Sequence, residues 1–336
     1  MDVPEVVSSL DSESIRVVTL PDGSVDRRYA VEDNEGTVES RETFGRRIAS
    51  GTAKSFMTEH LRTDPGGQAV NAAKQAHALG DDVTLLGHLD DPVLDELDVE
   101  GFSMGEPADV RIYEFEDGAV MMTDESPDIQ TWTLDELRAV VSLDYFAAAD
   151  AVVWTNWASV NNTTEALEAL GAADIDGNVF VCDPGDVTIR DPDTIPDLAG
   201  ALATLEDSFD VVLSANRAET RYIADALDVT TLDDSSCVRA LRDELGITGV
   251  VIHASDYAVA ARTDETLNVP NVEVDEQARY MGGGDRFSAA LAHGLGAGWP
   301  WHAALALGNL AASYYIEYGE TPSTDDLREE YGATTL

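Results

Sequence analysis

The chain has 336 residues, of which 44% are hydrophobic, so it can bury the core of one large domain or of two modest ones. Acidic residues outnumber basic ones 65 to 20, and the formal net charge of −45 disfavours binding to nucleic acid or to anionic membrane surfaces. The N-terminus lacks a basic region followed by an apolar run, and long apolar stretches are absent, so we expect a cytoplasmic protein.

Short β-branched runs alternate with helical patterns along most of the chain. The spacing predicts helices at 68–79, 163–170 and 216–227, with Gly80 and Gly171 as left-handed C-terminal caps. Buried strands separated by helices are typical of a parallel sheet covered on both faces. The predicted strands are 15–20, 83–86, 151–154, 179–182, 211–213 and 249–253.

Two segments, 24–62 and 108–125, interrupt this alternation. Within the second, residues 111–122 predict a hairpin that turns at Asp117-Gly118. We expect the two segments to form a small β lid through which a homodimer could assemble. Because the sequence shows no repeat and no flexible linker, we predict a single domain over 1–336, with a short helix after Tyr318.

The strongest local motif is the run Gly282-Gly283-Gly284-Asp285, which leads directly into an amphipathic helix. Free backbone N–H groups and the helix dipole favour an anion at such a point, and glycine lets a phosphate come close. The three glycines therefore predict an anion hole. Asp285 fits a helix cap, but a carboxylate beside a phosphate is also suited to removing the proton of a phosphoryl acceptor.

A second motif is the pair Gly66-Gly67, which opens a helix with Asn71 one turn inside. At this position the amide of Asn71 could meet the hydroxyl groups of a polyol. An ordinary loop-to-helix junction would produce the same pattern, so the pair by itself is a weak signal.

Together the two motifs resemble the two signature regions of the ribokinase-like (PfkB) carbohydrate kinases, in their usual order. The pattern Gly-Gly-x-x-x-Asn with a closing Leu-Gly matches 66–80, and Gly-x-Gly-Asp matches 282–285. A strand that ends in an aspartate, 17–26, and Asn216-x-x-Glu219 after a later strand resemble weaker features of the family. Asn-x-x-Glu also fits an N-cap with a partial capping box.

The resemblance implies a three-layer α/β sandwich of the ribokinase-like type with a mainly parallel central sheet. It also implies a kinase that phosphorylates a hydroxyl of a sugar, sugar acid or nucleoside, with ATP or alternatively ADP as donor and Mg²⁺ as cofactor. Asp285 would be the general base, and backbone N–H groups of Gly282, Gly283 and Gly284 would form the anion hole. The other implied site residues are Asp26, Gly66, Gly67 and Asn71 for the acceptor, and Asn216, Glu219, Ser255, Arg279 and Asn309 for the nucleotide, with Glu219 holding the metal through water.

The chain departs from the family on the nucleotide side. Arg279-Tyr280-Met281 stands where members usually have Asp-Thr-Thr, and residues 253–258 lack both glycines of the family's nucleotide loop. We expect Arg279 to face the nucleotide phosphates, since a guanidinium binds phosphate through paired hydrogen bonds. The alternative is a catalytically inactive kinase-fold protein that binds a sugar or nucleotide as a sensor, although the retained run 282–285 favours an enzyme.

The surface charge is scattered over the chain, and Lys54 and Lys74 are its only lysines. An acidic, lysine-poor composition resembles proteins from salt-accumulating halophiles, in which salt screens the repulsion among surface carboxylates.

We therefore predict that stability depends steeply on salt. Melting curves should move to higher temperature between low and molar potassium chloride, because screening weakens the self-repulsion of a chain with charge −45. A melting temperature that stays constant over this range would contradict the halophilic interpretation.

Overall fold

The computed structural model describes residues 6–7, 10, 14–33, 36–51, 54–274, 277–279 and 281–332. The strands are β1 Arg16–Leu20, β2 Ser24–Asp33, β3 Gly36–Thr37, β4 Met57–Gly66, β5 Asp82–Gly87, β6 Glu100–Ser103, β7 Ala108–Phe115, β8 Gly118–Asp124, β9 Ala151–Thr155, β10 Val179–Asp183, β11 Asp210–Asn216, β12 Gly249–His253, β13 Tyr257–Arg262 and β14 Glu265–Pro270. The α-helices are α1 Arg41–Ala49, α2 Gln68–Ala78, α3 Pro127–Thr131, α4 Leu134–Val140, α5 Asp144–Ala148, α6 Thr163–Gly171, α7 Ile195–Leu205, α8 Arg217–Ala226, α9 Asp234–Leu245, α10 Gly283–Gly296, α11 Trp301–Tyr318 and α12 Thr324–Tyr331.

The central sheet has nine strands in the described part of the chain, in the order β14-β13-β12-β11-β10-β9-β1-β5-β6. The strands from β12 to β6 are parallel to their neighbours, whereas β13 and β14 add an antiparallel edge. This arrangement confirms the predicted mainly parallel α/β sandwich. It also brings the carboxyl ends of the parallel strands to one edge, where ligands bind in open α/β sheets.

Two apolar cores lie on opposite faces of this sheet, because successive side chains of a strand point in opposite directions. Val17 belongs to the core shared with α2, α10 and α11, while its neighbour Val18 belongs to the core shared with helices α4 to α9. Strand β9 is buried along its whole length. Burial on both faces explains why the predicted strands are continuous apolar runs.

A second sheet covers the carboxyl edge of the first and is here called the lid. Strand β2 pairs with β3, β4 and β7, and β7 pairs with β8. The predicted lid segments supply these strands, although positions 34–35 and 52–53 lie outside the described residues. The lid exposes Met57, Leu61, Met121 and Met122, and the homodimer expected through it stays a prediction.

Three local predictions need correction. The segment 17–26 is not one strand, because Pro21 lacks the N–H that a ladder requires, and the chain turns between β1 and β2. The hairpin loop consists of residues 116–117, since Phe115 already pairs with Gly118. Gly171 lies inside α6 and is not a left-handed cap, whereas Gly80 has the expected positive φ of 94°.

Gly171 is explained by close packing between α6 and α7. A Cβ atom at this position would lie 2.8 Å from the backbone of Leu205, so any side chain would push the two helices apart. Within the described ranges, no helix combines the length and apolar character needed to cross a bilayer.

We predict that Gly171→Ala destabilises the protein by about 1–3 kcal/mol through overpacking against α7. Gly200→Ala is the matched control, because a Cβ there meets nothing within 4 Å and alanine favours a helix by roughly 0.5–1 kcal/mol. Chemical denaturation in high salt measures both. Equal effects of the two substitutions would show that α6 and α7 can separate without cost.

Candidate active site

The N-termini of helices α2 and α10 meet at the carboxyl edge of the sheet, around the carboxylate of Asp285. The side-chain amide of Asn71 donates to Asp285 Oδ2 at 2.8 Å, and that of Gln68 donates to Asp285 Oδ1 at 3.2 Å. The two sequence motifs, which lie more than 200 residues apart, therefore form one site. Asn71 thus orients the carboxylate that the sequence identified as the candidate base.

Helix α2 is held in place by Asp22, a residue that the sequence reasoning missed. Its carboxylate accepts hydrogen bonds from the backbone N–H groups of Gln68 at 2.9 Å and of Ala69 at 2.7 Å. Gly67 cannot cap the helix itself, and with φ of 103° it passes so close to Gly23 that a Cβ would lie 2.8 Å from its Cα atom. A turn aspartate far from the helix in sequence gives no local capping signal.

The glycine run forms the start of α10, with Gly282 as its N-cap in the left-handed region. A Cβ at Gly282 would lie 2.9 Å from Arg286 Nη1, and one at Gly284 would lie 3.0 Å from His253 Cε1. Asp285 is the third residue of the helix and caps nothing, so the capping explanation for it is wrong. The backbone N–H groups of the first turn have no partner within the helix.

Arg286 is buried directly behind this run, with 3% of its surface exposed. Its Nη1 donates to the Gly282 carbonyl at 3.1 Å, and its guanidinium lies 3.9 Å from the centre of the Tyr315 ring. Burial raises the pKa of Asp285 to about 6, and the charge of Arg286 together with the hydrogen bond from Asn71 limits that rise. The carboxylate is therefore largely ionised at neutral pH.

Further carboxylates lie close to Asp285 on the side of β10 and β11. Asp183 accepts a hydrogen bond from Ser288 at 2.8 Å, and burial, followed by repulsion from Asp285, raises its pKa to about 7. Burial and repulsion from Asp183 raise the pKa of Glu219 to about 8. Asn216 and Glu219 also form the capping box of α8, so the structural explanation of this motif is correct.

Two cavities meet at Asp285. A cavity of 460 Å³ lies under the lid and is here called the lid cavity. A groove of 1060 Å³ borders the N-terminal end of α10 and is called the outer groove. Residues that border both include Gln68, Arg279, Gly282 and Asp285.

The predicted acceptor and nucleotide residues fall into separate cavities. Asp26, Gly67 and Asn71 line the lid cavity, and Gly66 lies behind it with its Cα against the Asp26 carboxylate. The outer groove is lined by Asn216, Glu219, Ser255, Asn309, Gly283 and Gly284. The structure thus places two groups of predicted residues on either side of one carboxylate.

Two of these residues have structural partners. The amide of Asn309 donates to the carbonyls of Val269 at 3.1 Å and Pro270 at 3.2 Å, which ties α11 to β14. Arg279 borders both cavities, and its Nη1 lies 3.5 Å from Glu114 of the lid. Its neighbour Tyr280 lies outside the described residues.

Lys74 is a site residue without a sequence motif. It lies on α2 three residues after Asn71, lines the lid cavity and donates to the Pro65 carbonyl. Burial, together with repulsion from Arg286, lowers its pKa to about 8. The sequence could have indicated this residue, because a side chain three positions after Asn71 lies on the same face of the helix.

The comparisons with known proteins agree with this geometry. The model of the prokaryotic ketohexokinase family matches residues 13–332. A ketohexokinase from Haloferax volcanii is 28% identical over 342 aligned residues, which cover 93% of this chain and 90% of the relative. A nucleoside kinase from Burkholderia thailandensis, solved with inosine, has a TM-score of 0.68 at 17% identity and covers 96% of this chain and 99% of its own. A ribokinase from Thermotoga maritima has a TM-score of 0.67 at 14% identity, with 94% and 98% covered.

The sheet order and the solved neighbours confirm the predicted ribokinase-like fold. The family model and the Haloferax relative confirm the predicted PfkB-type kinase class. Within that class the chain belongs to the prokaryotic ketohexokinase family, whose model spans nearly its whole length.

We predict that Asp22→Ala destabilises the protein by about 1–3 kcal/mol, because two N–H groups at the start of α2 lose a charged acceptor. Asp82→Ala, which removes an exposed carboxylate of β5, is the control. Thermal melting in molar salt compares the two variants. If they melt together, Asp22 does not hold the helix.

Proposed function

We propose that this chain transfers the terminal phosphoryl group of ATP to a hydroxyl of a sugar, with Asp285 as the general base. The observation that carries the proposal is that Asp285 and Gly282 border both the lid cavity and the outer groove, while Gly283 and Gly284 line the outer groove. An acceptor in one cavity and a nucleotide in the other would meet at this carboxylate. The names of the family and of the Haloferax relative make a ketohexose the first acceptor to test.

In the proposed reaction, the acceptor oxygen forms a bond to the γ-phosphorus while the bond from that phosphorus to the β–γ bridging oxygen breaks. The proton of the hydroxyl passes to Asp285, and ADP leaves. Backbone N–H groups of Gly282, Gly283 and Gly284 would stabilise the negative charge on the transferred group. Positioning of the two substrates would supply most of the acceleration over the uncatalysed reaction.

The acceptor would lie in the lid cavity. Asp26 and Asn71 face this cavity and can bind hydroxyl groups. Gly66 and Gly67 leave room for the Asp26 carboxylate and for the Gly23 backbone, and so shape the wall of the cavity. The hydrogen bond from Ser24 to Asp26 at 2.6 Å fixes the direction of its carboxylate. Lys74 adds a further donor to the same wall.

The nucleotide would lie in the outer groove, near Asn216, Ser255 and Asn309. In the part of the chain that the structure describes, no three His, Cys, Asp or Glu side chains form a ready-made metal cage. Burial, followed by repulsion from Asp183, nevertheless raises the pKa of Glu219. Mg²⁺ commonly binds through one or two carboxylates, water and substrate phosphates. Magnesium would neutralise phosphate charge there, with Glu219 holding it through water.

Because the predicted nucleotide residues depart from the family pattern, ADP remains an alternative donor. A non-catalytic sensor remains the alternative function. Strands β12 and β13 are joined by a tight turn without glycine, closed by a hydrogen bond from the Ala254 N–H to the Tyr257 carbonyl. Nucleotide binding without turnover of any sugar would support the sensor.

The decisive experiment is Asp285→Asn, assayed with ATP or ADP and fructose at high potassium chloride. The amide keeps the shape of the side chain but cannot accept a proton, and loss of a general base lowers kcat by about 10²–10⁴-fold. Asp81→Asn is the control, because it removes a buried carboxylate that pairs with His293 outside both cavities. Melting and calorimetry in the same buffer show whether folding and binding persist.

The pH profile gives a second readout of the same role. For the wild type, kcat/KM should fall about tenfold per pH unit below the pKa of Asp285, about 6, because the protonated carboxyl cannot act as base. Near wild-type kcat in Asp285→Asn, combined with intact binding, would remove Asp285 from the chemistry.

A further inference from the structure

Glu125 lies where the last lid strand, β8, returns to the body of the protein, and its side chain lines the lid cavity. Successive side chains of an extended chain point in opposite directions. Met121, Thr123 and Glu125 accordingly line the cavity, whereas the exposed Asp124 does not. The side-chain amide of Gln130 donates to the Glu125 carbonyl at 2.9 Å, which fixes the backbone here against α3.

The half-buried carboxylate of Glu125 has few partners. Burial, followed by repulsion from Asp22, raises its pKa to about 7, and a hydrogen bond from Ser159 limits that rise. Asp124 adds to the repulsion, and no arginine or lysine of the described chain offsets it. The protein thus holds a carboxylate at a cost in stability without giving it a counter-charge. Such groups are found most often where a ligand binds.

The other carboxylates that line the lid cavity are better satisfied. Each has at least two hydrogen-bond donors or cations beside it; they are Asp22, Asp26, Asp64, Asp186 and Asp285. A carboxylate has about four lone-pair sites for hydrogen bonds. Glu125, with Ser159 as its one donor, therefore keeps the largest unused acceptor capacity in this cavity.

The donor of that hydrogen bond lies on a well-held turn after β9. The N–H of Ser159 donates to the Asn156 carbonyl at 3.2 Å, and the N–H of Asn156 donates to the Asp183 carbonyl at 2.9 Å. Asn156 has a positive φ of 53°, which asparagine adopts more readily than most residues, and it lines the same cavity as Ser159. Glu125 and this turn therefore offer fixed polar groups to one ligand.

We infer that Glu125 determines acceptor specificity: its carboxylate accepts hydrogen bonds from two neighbouring hydroxyl groups of the sugar, other than the hydroxyl that is phosphorylated. Two adjacent hydroxyls suit the two oxygens of one carboxylate, and hydrogen bonds to a charged acceptor are roughly twice as strong as neutral ones. The inference rests on the proposed sugar kinase activity and adds a residue that no sequence motif includes.

The first test is Glu125→Gln, assayed with fructose and ATP at high potassium chloride. Because the amide carries no charge and has one acceptor oxygen instead of two, kcat/KM for fructose should fall about 10–100-fold. Asp124→Asn is the matched control, since it removes the same charge from the neighbouring, outward-facing residue. The control should keep the wild-type kcat/KM.

The second test compares fructose with psicose, tagatose and sorbose, in which the hydroxyl at C3, C4 or C5 is inverted. The wild type should discriminate most strongly at two neighbouring carbons, whose hydroxyls meet Glu125. In Glu125→Gln the discrimination at these two carbons should shrink, and that at the third should persist. A variant that keeps all three ratios overturns the inference.

Stability separates a ligand-binding role from a structural one. Because the pKa of Glu125 is raised from 4.5 to about 7, its ionised form lowers stability; this cost is absent below pH 4.5, grows with pH and is complete above about 7. Above pH 7, Glu125→Gln should therefore melt at the same or a higher temperature than the wild type. A lower melting temperature, or failure to fold, makes the carboxylate structural and overturns the inference.

The remaining outcomes distinguish this inference from the kinase proposal. Fructose turned over equally well by wild type and Glu125→Gln overturns the role of Glu125 and leaves the kinase proposal intact. Equal losses in Glu125→Gln and Asp124→Asn also overturn it, because the effect is then one of general charge. If the wild type phosphorylates no sugar, the kinase proposal fails, and calorimetry with fructose decides the inference: weaker binding to Glu125→Gln supports it, and equal or absent binding overturns it.

Discussion

The carboxylate of Asp285, held by two amides of helix α2, is the contact on which the rest of the site depends. Asn71 donates to one of its oxygens at 2.8 Å and Gln68 to the other at 3.2 Å. These hydrogen bonds fix the starts of α2 and α10 against each other. Asp22 stabilises the same junction, because its carboxylate caps the start of α2. A ligand hydroxyl that enters the lid cavity would meet a carboxylate whose orientation is already set.

Charges on the surface are screened by salt, whereas charges in the site are compensated mainly by other groups of the protein. The surface carries most of the −45 charge, and dissolved salt screens charges separated by more than a few ångströms. Asp183 and Asp285 are buried, so salt screens their mutual repulsion less than that of surface charges, and groups of the protein have to compensate for it. Arg286 lies 3.8 Å from Asp285 and also donates to the Gly282 carbonyl. One buried guanidinium is therefore both the counter-charge of Asp285 and a support of the glycine run.

The sequence predicted the sheet and the two helix starts because their signals are local: apolar strands, glycine pairs and helical spacing. It placed Asp285 and Asn71 in one site only through the family resemblance, since residues more than 200 positions apart have no local pattern in common. Asp22 and Lys74 were missed because capping across a turn and burial of a lysine depend on tertiary packing. Gly171 was misinterpreted because a glycine needed for helix contact looks like a glycine needed for a cap.

Arg279, at which the sequence departs from the family pattern, forms an ion pair with a residue of the lid. This residue lies three positions before Gly282, and its ion pair with Glu114 connects the segment that leads into the glycine run to strand β7 of the lid. Arg28 reaches the same carboxylate from β2, so Glu114 joins two lid strands to the body. Glu114 therefore links Arg279, which precedes the glycine run, to the strands that cover the lid cavity.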